Sequence, residues 1–249
     1  MKKVVLKNYF TKDIDNIISS FHTSGELFGK ADRNIIKLFN LNDITVNVKA
    51  FKIPNLINKI AYKNFRKSKA KRSFEHAIKL QELGVGTPKP IAFYEYFSMI
   101  GLQESYYICE HLNSDLTFRE LVTNPHYPDH ENILRKFTKF TWQMHEKGIY
   151  FKDHSPGNTL IIKKNEDYNF NLVDLNRMSF ITLDLEARMK NFSRLTPKKQ
   201  MIKIMSDEYA KLSGYSFEEI FEKMWFYTEK FQEMFLQKKR LKKKILFKK

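Results

Sequence analysis

The alternation of apolar and polar residues changes character about halfway along the chain. In the first half, β-branched and aromatic residues form short runs between turn residues, which is typical of strands. From Gly25 to Lys52 the pattern predicts short strands in a hairpin or meander. The clearest strand segments are ITVNVKAF (44–51), PIAFYEYF (90–97) and SYYICEHL (105–112). One helix interrupts them over 67–84, where apolar residues recur at helical spacing until Gly84 and Gly86 end the helix.

Beyond Leu112 the apolar positions recur mainly at helical spacing. This spacing predicts helices over 117–122, over about 131–147, and from Asp184 to the end of the chain, with Pro197 in a first turn. The apolar segments TLIIKK and NLVD flank a polar turn and predict a small hairpin. We therefore expect an α+β fold with two lobes: a β-rich N-lobe with one helix over 1–111, and a mainly helical C-lobe over 112–249.

The charge balance changes the picture of possible partners. The 249 residues include 44 Lys and Arg against 28 Asp and Glu, a formal net charge of +16. Such a chain is drawn to nucleic acid, an anionic membrane or a phosphorylated glycolipid.

Two basic runs stand out. Residues 59–72 contain seven cations and no acid, and the tail 237–249 contains eight and no acid. The tail also interleaves apolar residues with its lysines, which suits a helix lying on an anionic membrane surface, while a solvated charged face is the other interpretation.

The cysteine content and the opening residues bear on the compartment. The only cysteine, Cys109, has no partner for an intrachain disulfide, which indicates a reducing compartment such as the cytoplasm. Asp13 and Asp15 interrupt any apolar stretch of the kind that a signal peptide needs. No segment reaches the length of a membrane-spanning helix, so we expect a soluble or surface-bound protein.

The stretch GIYFKDHSPGNTLI, residues 148–161, carries the candidate chemistry. Its polar residues are those that form turns, so a purely structural turn is one interpretation. However, Asp153 and Asn158 have the spacing of a phosphoryl-transfer loop, which needs a carboxylate beside the acceptor hydroxyl and oxygen ligands for a metal. Asp153 would lie beside the acceptor, while Asn158 and Asp174 would hold Mg²⁺.

A cation for the nucleotide phosphates is expected from the strand VNVK. Lys49 would contact the phosphates and Glu75, on the predicted helix, would pair with it. Lys52 is an alternative. Because the two lysines are three residues apart on a strand, they face opposite sides, and only one of them can point at the phosphates. Glu75 could instead be a surface charge pairing with a lysine on its own helix.

The order of these elements resembles the lipopolysaccharide kinase (Kdo/WaaP) family, a branch of the protein-kinase-like fold, from about Gly25 to Met178. The resemblance is carried by VNVKAF, by the segment around Glu75, by YFKDHSPGNTLI and by LVDLNRM, whose Asp-Leu-x-Arg pattern is the most telling.

This resemblance implies ATP-dependent phosphorylation of a Kdo or heptose hydroxyl in the lipopolysaccharide inner core, with ATP and Mg²⁺ as cofactors. The protein would be cytoplasmic and peripheral at the inner face of the inner membrane, with the core glycolipid as its partner. By the same analogy Gly25 and Gly29 would cover the nucleotide, and backbone groups from Glu110 to Leu112 would meet the adenine.

The chain departs from the kinase pattern at two places. Phe151 stands where such loops commonly have a histidine, and the Gly25 and Gly29 pair lacks a third glycine at the expected interval.

Two other functions stay open. A kinase-like enzyme acting on a soluble sugar, an antibiotic or a protein would use the same residues. A non-catalytic module that binds RNA, DNA or lipid would explain the charge but not the ordered acidic residues, which makes nucleic acid the disfavoured partner.

Overall fold

The computed structural model describes residues 1–6, 11–31, 34–64 and 66–246, and these form two compact units. The first unit comprises Met1–Asn113 together with Val173–Arg177. The second comprises Ser114–Leu172 and the chain from Met178 onward. The short segment that carries Asp174 therefore belongs to the first unit by its contacts, although it follows the hairpin of the second.

The first unit is built on one antiparallel sheet. Its described elements are β1 (Lys2–Val5), α1 (Thr11–Ser19), β2 (Glu26–Leu27), β3 (Ile35–Leu41), β4 (Ile44–Ala50), α2 (Leu56–Asn64), α3 (Lys69–Glu82), β5 (Pro90–Phe97) and β6 (Leu102–Glu110). The strand order is β1-β5-β6-β4-β3-β2. The predicted strands and the predicted helix are confirmed as β4, β5, β6 and α3. Three elements, β1, α1 and α2, were not predicted.

Each side of this sheet has its own helix. Residues Ile14, Ile17 and Ile18 of α1 are buried against Val46 and Ile108 of the sheet. Helix α3 packs on β5, where the Phe74 and Phe93 rings lie 5.2 Å apart. The helix starts where buried Ser68 accepts a hydrogen bond from the Lys71 backbone N–H at 3.0 Å, which satisfies one of its free N–H groups.

The second unit is mainly helical. Its described elements are β7 (Leu116–Thr117), α4 (Phe118–Thr123), α5 (His130–Glu146), β8 (Ile149–Phe151), β9 (Thr159–Lys164), β10 (Asp167–Leu172), β11 (Met178–Phe180), α6 (Leu185–Phe192), α7 (Lys199–Ser213) and α8 (Phe217–Leu246). Strands β10, β9 and β7 form one small sheet, and β11 and β8 form another. Helix α5 is central, since it packs against α7, β8 and β10. The fold class, a β-rich part followed by a helical part, is confirmed.

Some boundaries in the second unit differ from the prediction. The hairpin is confirmed as β9 and β10, but β10 ends at Leu172, so Asp174 follows the strand instead of ending it. Pro197 precedes Lys198, the N-cap of α7, so its predicted first-turn position is wrong. Strands β8 and β11 are three residues each and left no alternating pattern in the sequence.

Helix α8 is the longest described helix, at 30 residues, and contains much of the predicted basic tail. Within the described ranges, no helix has both the length and the apolar run that are needed to cross a bilayer. The last three residues of the tail, 247–249, lie outside the described residues.

We expect Gly25→Ala to destabilise the first unit. Gly25 has a φ of +85°, and an added Cβ would lie 2.4 Å from the Phe39 ring. Backbone strain and the clash together should lower the free energy of unfolding by about 2–3 kcal/mol. Gly29→Ala is the matched control, because Gly29 also has a positive φ, +76°, but has nothing within 4 Å of an added Cβ. It should cost only about 1 kcal/mol. Urea unfolding of both variants measures the difference, and equal losses would contradict the clash.

Candidate active site

Asp153 lies in a loop that begins at the end of β8. Strand β8 pairs with β11, with Phe151 opposite Met178. The side chain of Asn191, on α6, donates a hydrogen bond to the Phe151 carbonyl at 2.8 Å, and both residues are buried. The start of the loop is thus fixed by a strand and a helix before the chain reaches Asp153.

The Asp153 carboxylate is held by an arginine that the sequence did not indicate. Arg194, just after α6, donates to Asp153 Oδ1 at 2.6 Å and to the Lys152 carbonyl at 3.0 Å. Its guanidinium also lies over the Phe231 ring of α8, 5.5 Å from the centroid. Arg194 therefore orients the carboxylate from a defined position.

The other end of the loop is closed by Asn158. Its side-chain nitrogen donates to the Asp153 carbonyl at 2.8 Å, which leaves the amide oxygen as the atom able to bind a cation. Gly157 precedes it, and a Cβ there would lie 2.6 Å from Arg119 Nη2, so glycine leaves room for that arginine. Asp153 and Asn158, predicted from their spacing, are joined in one compact turn.

His154 occupies the inner side of the loop. The ring is fully buried, 5.4 Å from the ring of Phe137 and 5.8 Å from that of Phe151. Neither ring nitrogen has a hydrogen-bond partner among the described residues. Burial lowers the pKa of His154 to about 3, and the neighbouring His145 lowers it further in the same direction. His154 is thus a neutral packing residue and not a proton-transfer group.

Phe151 and His154 together explain how the loop is built without a histidine at 151. The aromatic ring of Phe151 is fully buried and packs on His154, while the polar link to the loop comes from Asn191. Asn191 Oδ1 also accepts a hydrogen bond from His145 Nε2 at 3.1 Å, so the same amide connects α5 to the loop. A hydrophobic residue at 151 is therefore compatible with an ordered loop.

In the first unit, Lys49 and Asp174 form an ion pair. Lys49 Nζ donates to Asp174 Oδ1 at 2.7 Å, with the lysine side chain only 13% exposed. The ammonium also lies 5.3 Å from the Phe51 ring centroid. Lys52, the alternative, is exposed and lines a separate cavity of about 300 Å³. The geometry therefore favours Lys49 as the lysine of the site.

The backbone of Asp174 has an uncommon conformation. Its φ is +59°, in the left-handed region that costs a non-glycine residue strain energy. Asn176 donates to Asp174 Oδ1 at 2.7 Å, and His76 Nδ1, on α3, donates to the Leu175 carbonyl at 2.7 Å. These bonds from two sides hold the carboxylate in this orientation. Strain at such a residue is typical of functional sites.

Glu75 has a different partner from the one expected. It accepts a hydrogen bond from Lys67 Nζ at 2.9 Å, while Lys49 pairs with Asp174. Among the described residues, Lys49 and Glu75 therefore form no ion pair with each other. The residue next to it, His76, is the one through which α3 holds the Asp174 segment, and burial lowers the pKa of this histidine.

One of the two predicted nucleotide-covering glycines, Gly25, shares a cavity with the predicted adenine link. Gly25, Thr45 and His111 line one cavity of about 610 Å³, and the Phe28 ring packs edge-on to His111 at 5.1 Å. The N–H groups of Glu110 and His111 already donate to the carbonyls of Lys89 and Thr45. Within the described chain, the Leu112 N–H donates no backbone hydrogen bond.

The donor atoms fit a hard cation such as Mg²⁺. Asp174 supplies a carboxylate, and Asn158 supplies an amide oxygen, and Mg²⁺ takes oxygen ligands while keeping waters and phosphates. In the part of the chain that the structure describes, no cluster of three or more His, Cys, Asp or Glu could bind a metal by itself. Each residue is a possible ligand within its own unit, and waters and nucleotide phosphates would have to complete the coordination of a cation.

Four residues of the site were not predicted: Arg194, Asn191, His76 and Asn176. Arg194 and Asn191 follow no motif and reach the loop only through the packing of α6. Asn176 lies in the quoted LVDLNRM segment, and His76 adjoins Glu75, so for these two a sequence signal existed.

The antiparallel sheet with α3, followed by the helical unit with its Asp/Asn loop, defines a protein-kinase-like fold. A model of the lipopolysaccharide kinase (Kdo/WaaP) family matches residues 44–215. The chain therefore belongs to this family, and it is a phosphotransferase of the kinase class. The resemblance seen in the sequence is confirmed.

One solved structure supports this fold, and a second is reported for comparison only. A structure of WaaP in complex with acyl carrier protein is 14% identical, covers 94% of this chain and 99% of that chain, and has a TM-score of 0.65. At this identity it supports the fold alone. A second structure, the Rio2 kinase–ADP/Mg²⁺–phosphoaspartate complex from Chaetomium thermophilum, is 12% identical, covers 89% of this chain and 75% of that chain, and has a TM-score of 0.48. No curated protein matches the chain significantly in sequence.

We expect the second unit to lose stability in mild acid through its buried histidines. Burial lowers the pKa of His145 to about 4 and that of His154 to about 3, from an ordinary 6.5. Below pH 6.5 these two histidines bind protons in the unfolded chain but stay unprotonated in the folded chain. Stability is therefore fully present above that pH and falls towards pH 4, by up to about 1.4 kcal/mol per pH unit for each histidine.

His154→Leu should reduce the slope of unfolding free energy against pH by about half, because it removes one of the two buried histidines. The variant also no longer buries two ring nitrogens that lack hydrogen-bond partners. Urea unfolding between pH 7 and 4.5 measures it. His126→Leu, at an exposed position, should keep the wild-type slope. An unchanged slope in His154→Leu would show that this ring is not the group responsible.

Proposed function

We propose that the protein transfers the γ-phosphoryl group of ATP, with Mg²⁺, to a hydroxyl of Kdo or heptose in the inner core of lipopolysaccharide. The observation that carries the proposal is the Lys49–Asp174 ion pair at 2.7 Å, which joins residues 125 positions apart in the sequence. A buried cation and a carboxylate held in a strained backbone are what nucleotide phosphates and a metal ion need. The family match covers all five predicted residues, from Lys49 to Asp174.

On the nucleotide side, we assign Lys49 to the phosphates and Asn158 and Asp174 to Mg²⁺. When bound, the metal would neutralise the charge that develops during transfer. Gly25 and Gly29 would lie over the phosphates, and the link from Glu110 to Leu112 would meet the adenine. Glu75 would compete with Asp174 for the Lys49 ammonium once phosphates and metal neutralise that carboxylate.

On the acceptor side, we assign Asp153 to the sugar hydroxyl. Arg194 donates to one carboxylate oxygen at 2.6 Å and so orients the carboxylate that would accept the hydroxyl proton. Orientation of the hydroxyl towards the phosphoryl group is the main contribution of such a carboxylate, because the reaction depends chiefly on positioning and charge stabilisation.

The acceptor class and the location follow from charge. An inner-core glycolipid is anionic and lies in a membrane, which suits a chain of +16. The part of α8 that enters the basic tail exposes Met234, Phe235, Leu236 and Leu241, each 46–58% exposed. These side chains among lysines support a peripheral position on the anionic inner face of the inner membrane.

The proposed function predicts that Asp153→Ala loses phosphoryl transfer. Removing the carboxylate that orients the acceptor should lower kcat by about 10²- to 10⁴-fold without unfolding the protein. Transfer of labelled γ-phosphate from ATP, with Mg²⁺, to Kdo-bearing lipid A and core acceptors measures it. Asp13→Ala, which removes an exposed carboxylate of α1, should keep wild-type activity.

The same assay separates the other functions. Label that enters a soluble sugar, an antibiotic or a protein but no glycolipid would identify a kinase with another acceptor. Absence of label in every acceptor, together with a melting temperature that ATP and Mg²⁺ do not raise, would point to a non-catalytic binding module.

A second prediction concerns Arg194 as a positioning residue. Arg194→Met should lower kcat by as much as ~100-fold, with the KM for ATP unchanged, because the Asp153 carboxylate loses its fixed orientation. Arg194→Lys should restore part of the rate. Lys152→Met removes an exposed cation from the same loop and is the control for charge alone. Equal losses in the Arg194 and Lys152 variants would mean that the local charge matters and the hydrogen bond does not.

A further inference from the structure

Four apolar side chains of the first unit are strongly exposed in two neighbouring segments. Leu56 and Ile57, in the first turn of α2, are 59% and 79% exposed. Met99 and Ile100, in the turn between β5 and β6, are 95% and 58% exposed. A single exposed apolar residue is ordinary, but a group of four large ones marks a surface with a binding role.

Hydrogen bonds join the two segments. Lys59 Nζ, on α2, donates to Gln103 Oε1 at 3.0 Å, and Gln103 Nε2 donates to Ser98 Oγ at 2.6 Å. Helix α2 also packs against β6. Leu56 and Ile57 precede Lys59 within one helical turn, and Met99 directly follows Ser98. The four side chains therefore belong to one surface, which we call the α2–turn surface.

The turn is held by its own backbone. The Ser98 N–H donates to the Gly101 carbonyl at 2.9 Å, and the Ile100 N–H donates to Ser98 Oγ at 3.2 Å. These bonds fix the loop that carries Met99 and Ile100. The exposure of the two side chains therefore comes from a defined turn, and little ordering is needed for them to enter an apolar phase.

The chain segment that contains α2 carries charge of one sign. Residues 52–72 contain eight Lys and Arg and no Asp or Glu. Arg66 and Lys67 are exposed, and Lys59 is half-buried against the turn. Apolar side chains surrounded by cations are the combination that binds an anionic lipid surface, since the apolar groups enter the acyl boundary while the cations contact the headgroups.

We propose that the α2–turn surface binds an anionic lipid bilayer, with Met99, Ile100 and Ile57 inserted below the headgroups. This contact lies in the first unit and differs from the basic tail of α8, which belongs to the second. It rests on the proposed function only in that a glycolipid acceptor places the enzyme at such a bilayer. A protein partner would need complementary acidic groups, whereas a membrane needs only the apolar and cationic side chains that the surface has.

A fluorescent label tests the insertion in the full chain. Met99→Cys can be labelled with an environment-sensitive dye, because the native Cys109 is buried and burial raises the pKa of its thiol to about 12. With vesicles of phosphatidylcholine and phosphatidylglycerol, emission at position 99 should shift to the blue and be quenched by brominated lipid. Phosphatidylcholine alone, or high salt, should weaken the shift.

Ile181→Cys is the matched control, since Ile181 is 55% exposed in the second unit and should show no shift. A label at Gln237→Cys reports the tail. A shift at 237 without one at 99 would overturn the proposal and leave the tail as the membrane contact. No shift at either position would overturn both contacts, and a shift at 99 only with an added acidic protein would identify a protein surface.

Activity supplies a second readout. The triple variant Ile57→Ser, Met99→Ser, Ile100→Ser should lower transfer to glycolipid in vesicles at least ~10-fold, and should keep wild-type transfer to a deacylated, water-soluble acceptor. Equal rates on both acceptors would overturn the proposal. Wild-type protein without transfer to either acceptor would reject the proposed function, while the label at 99 would still decide whether the surface inserts.

Discussion

The ion pair between Lys49 and Asp174 is the interaction on which the nucleotide side of the site depends. Its two residues come from β4 and from a segment that follows the hairpin of the other unit, yet their atoms lie 2.7 Å apart. A mostly buried ammonium must be paired, because desolvation of an isolated charge is costly. The pair therefore fixes the position of the 173–177 segment, and the bonds from His76 and Asn176 then set the orientation of the carboxylate.

The acceptor loop follows a different physical rule. The carboxylate of Asp153, which we assign to the acceptor, is oriented by a charge-assisted hydrogen bond from Arg194. On the inner side of the loop, the rings of Phe151 and His154 pack against each other. The histidines of this region stay neutral because burial lowers their pKa values. A rigid loop without buried charge suits the task of holding a carboxylate in place. Because the buried histidines must stay neutral, the second unit is also sensitive to acid.

The two proposals distribute functions over the two units. The first unit would bind the nucleotide phosphates through Lys49 and the bilayer through the α2–turn surface, and the second would bind the acceptor through Asp153. Both kinds of contact use the positive charge of the chain, but in different ways. A paired, mostly buried lysine would act on one phosphate group, whereas the cations of 52–72 would act collectively on a charged surface.

Local signals in the sequence determined much of the protein. Runs of β-branched, aromatic and apolar residues predicted β4, β5, β6 and the β9–β10 hairpin, and helical spacing predicted α3 and α5, because the side chains that these elements bury are close together in the sequence. The residues Lys49, Asp153, Asn158 and Asp174 could be chosen since each lies at a defined place in an ordered series. Only the tertiary structure decided the partners. Lys49 pairs with Asp174 and not with Glu75, and Arg194 reaches Asp153 across 41 positions of chain, because side-chain contacts depend on the packing of distant elements and leave no periodic trace in the sequence.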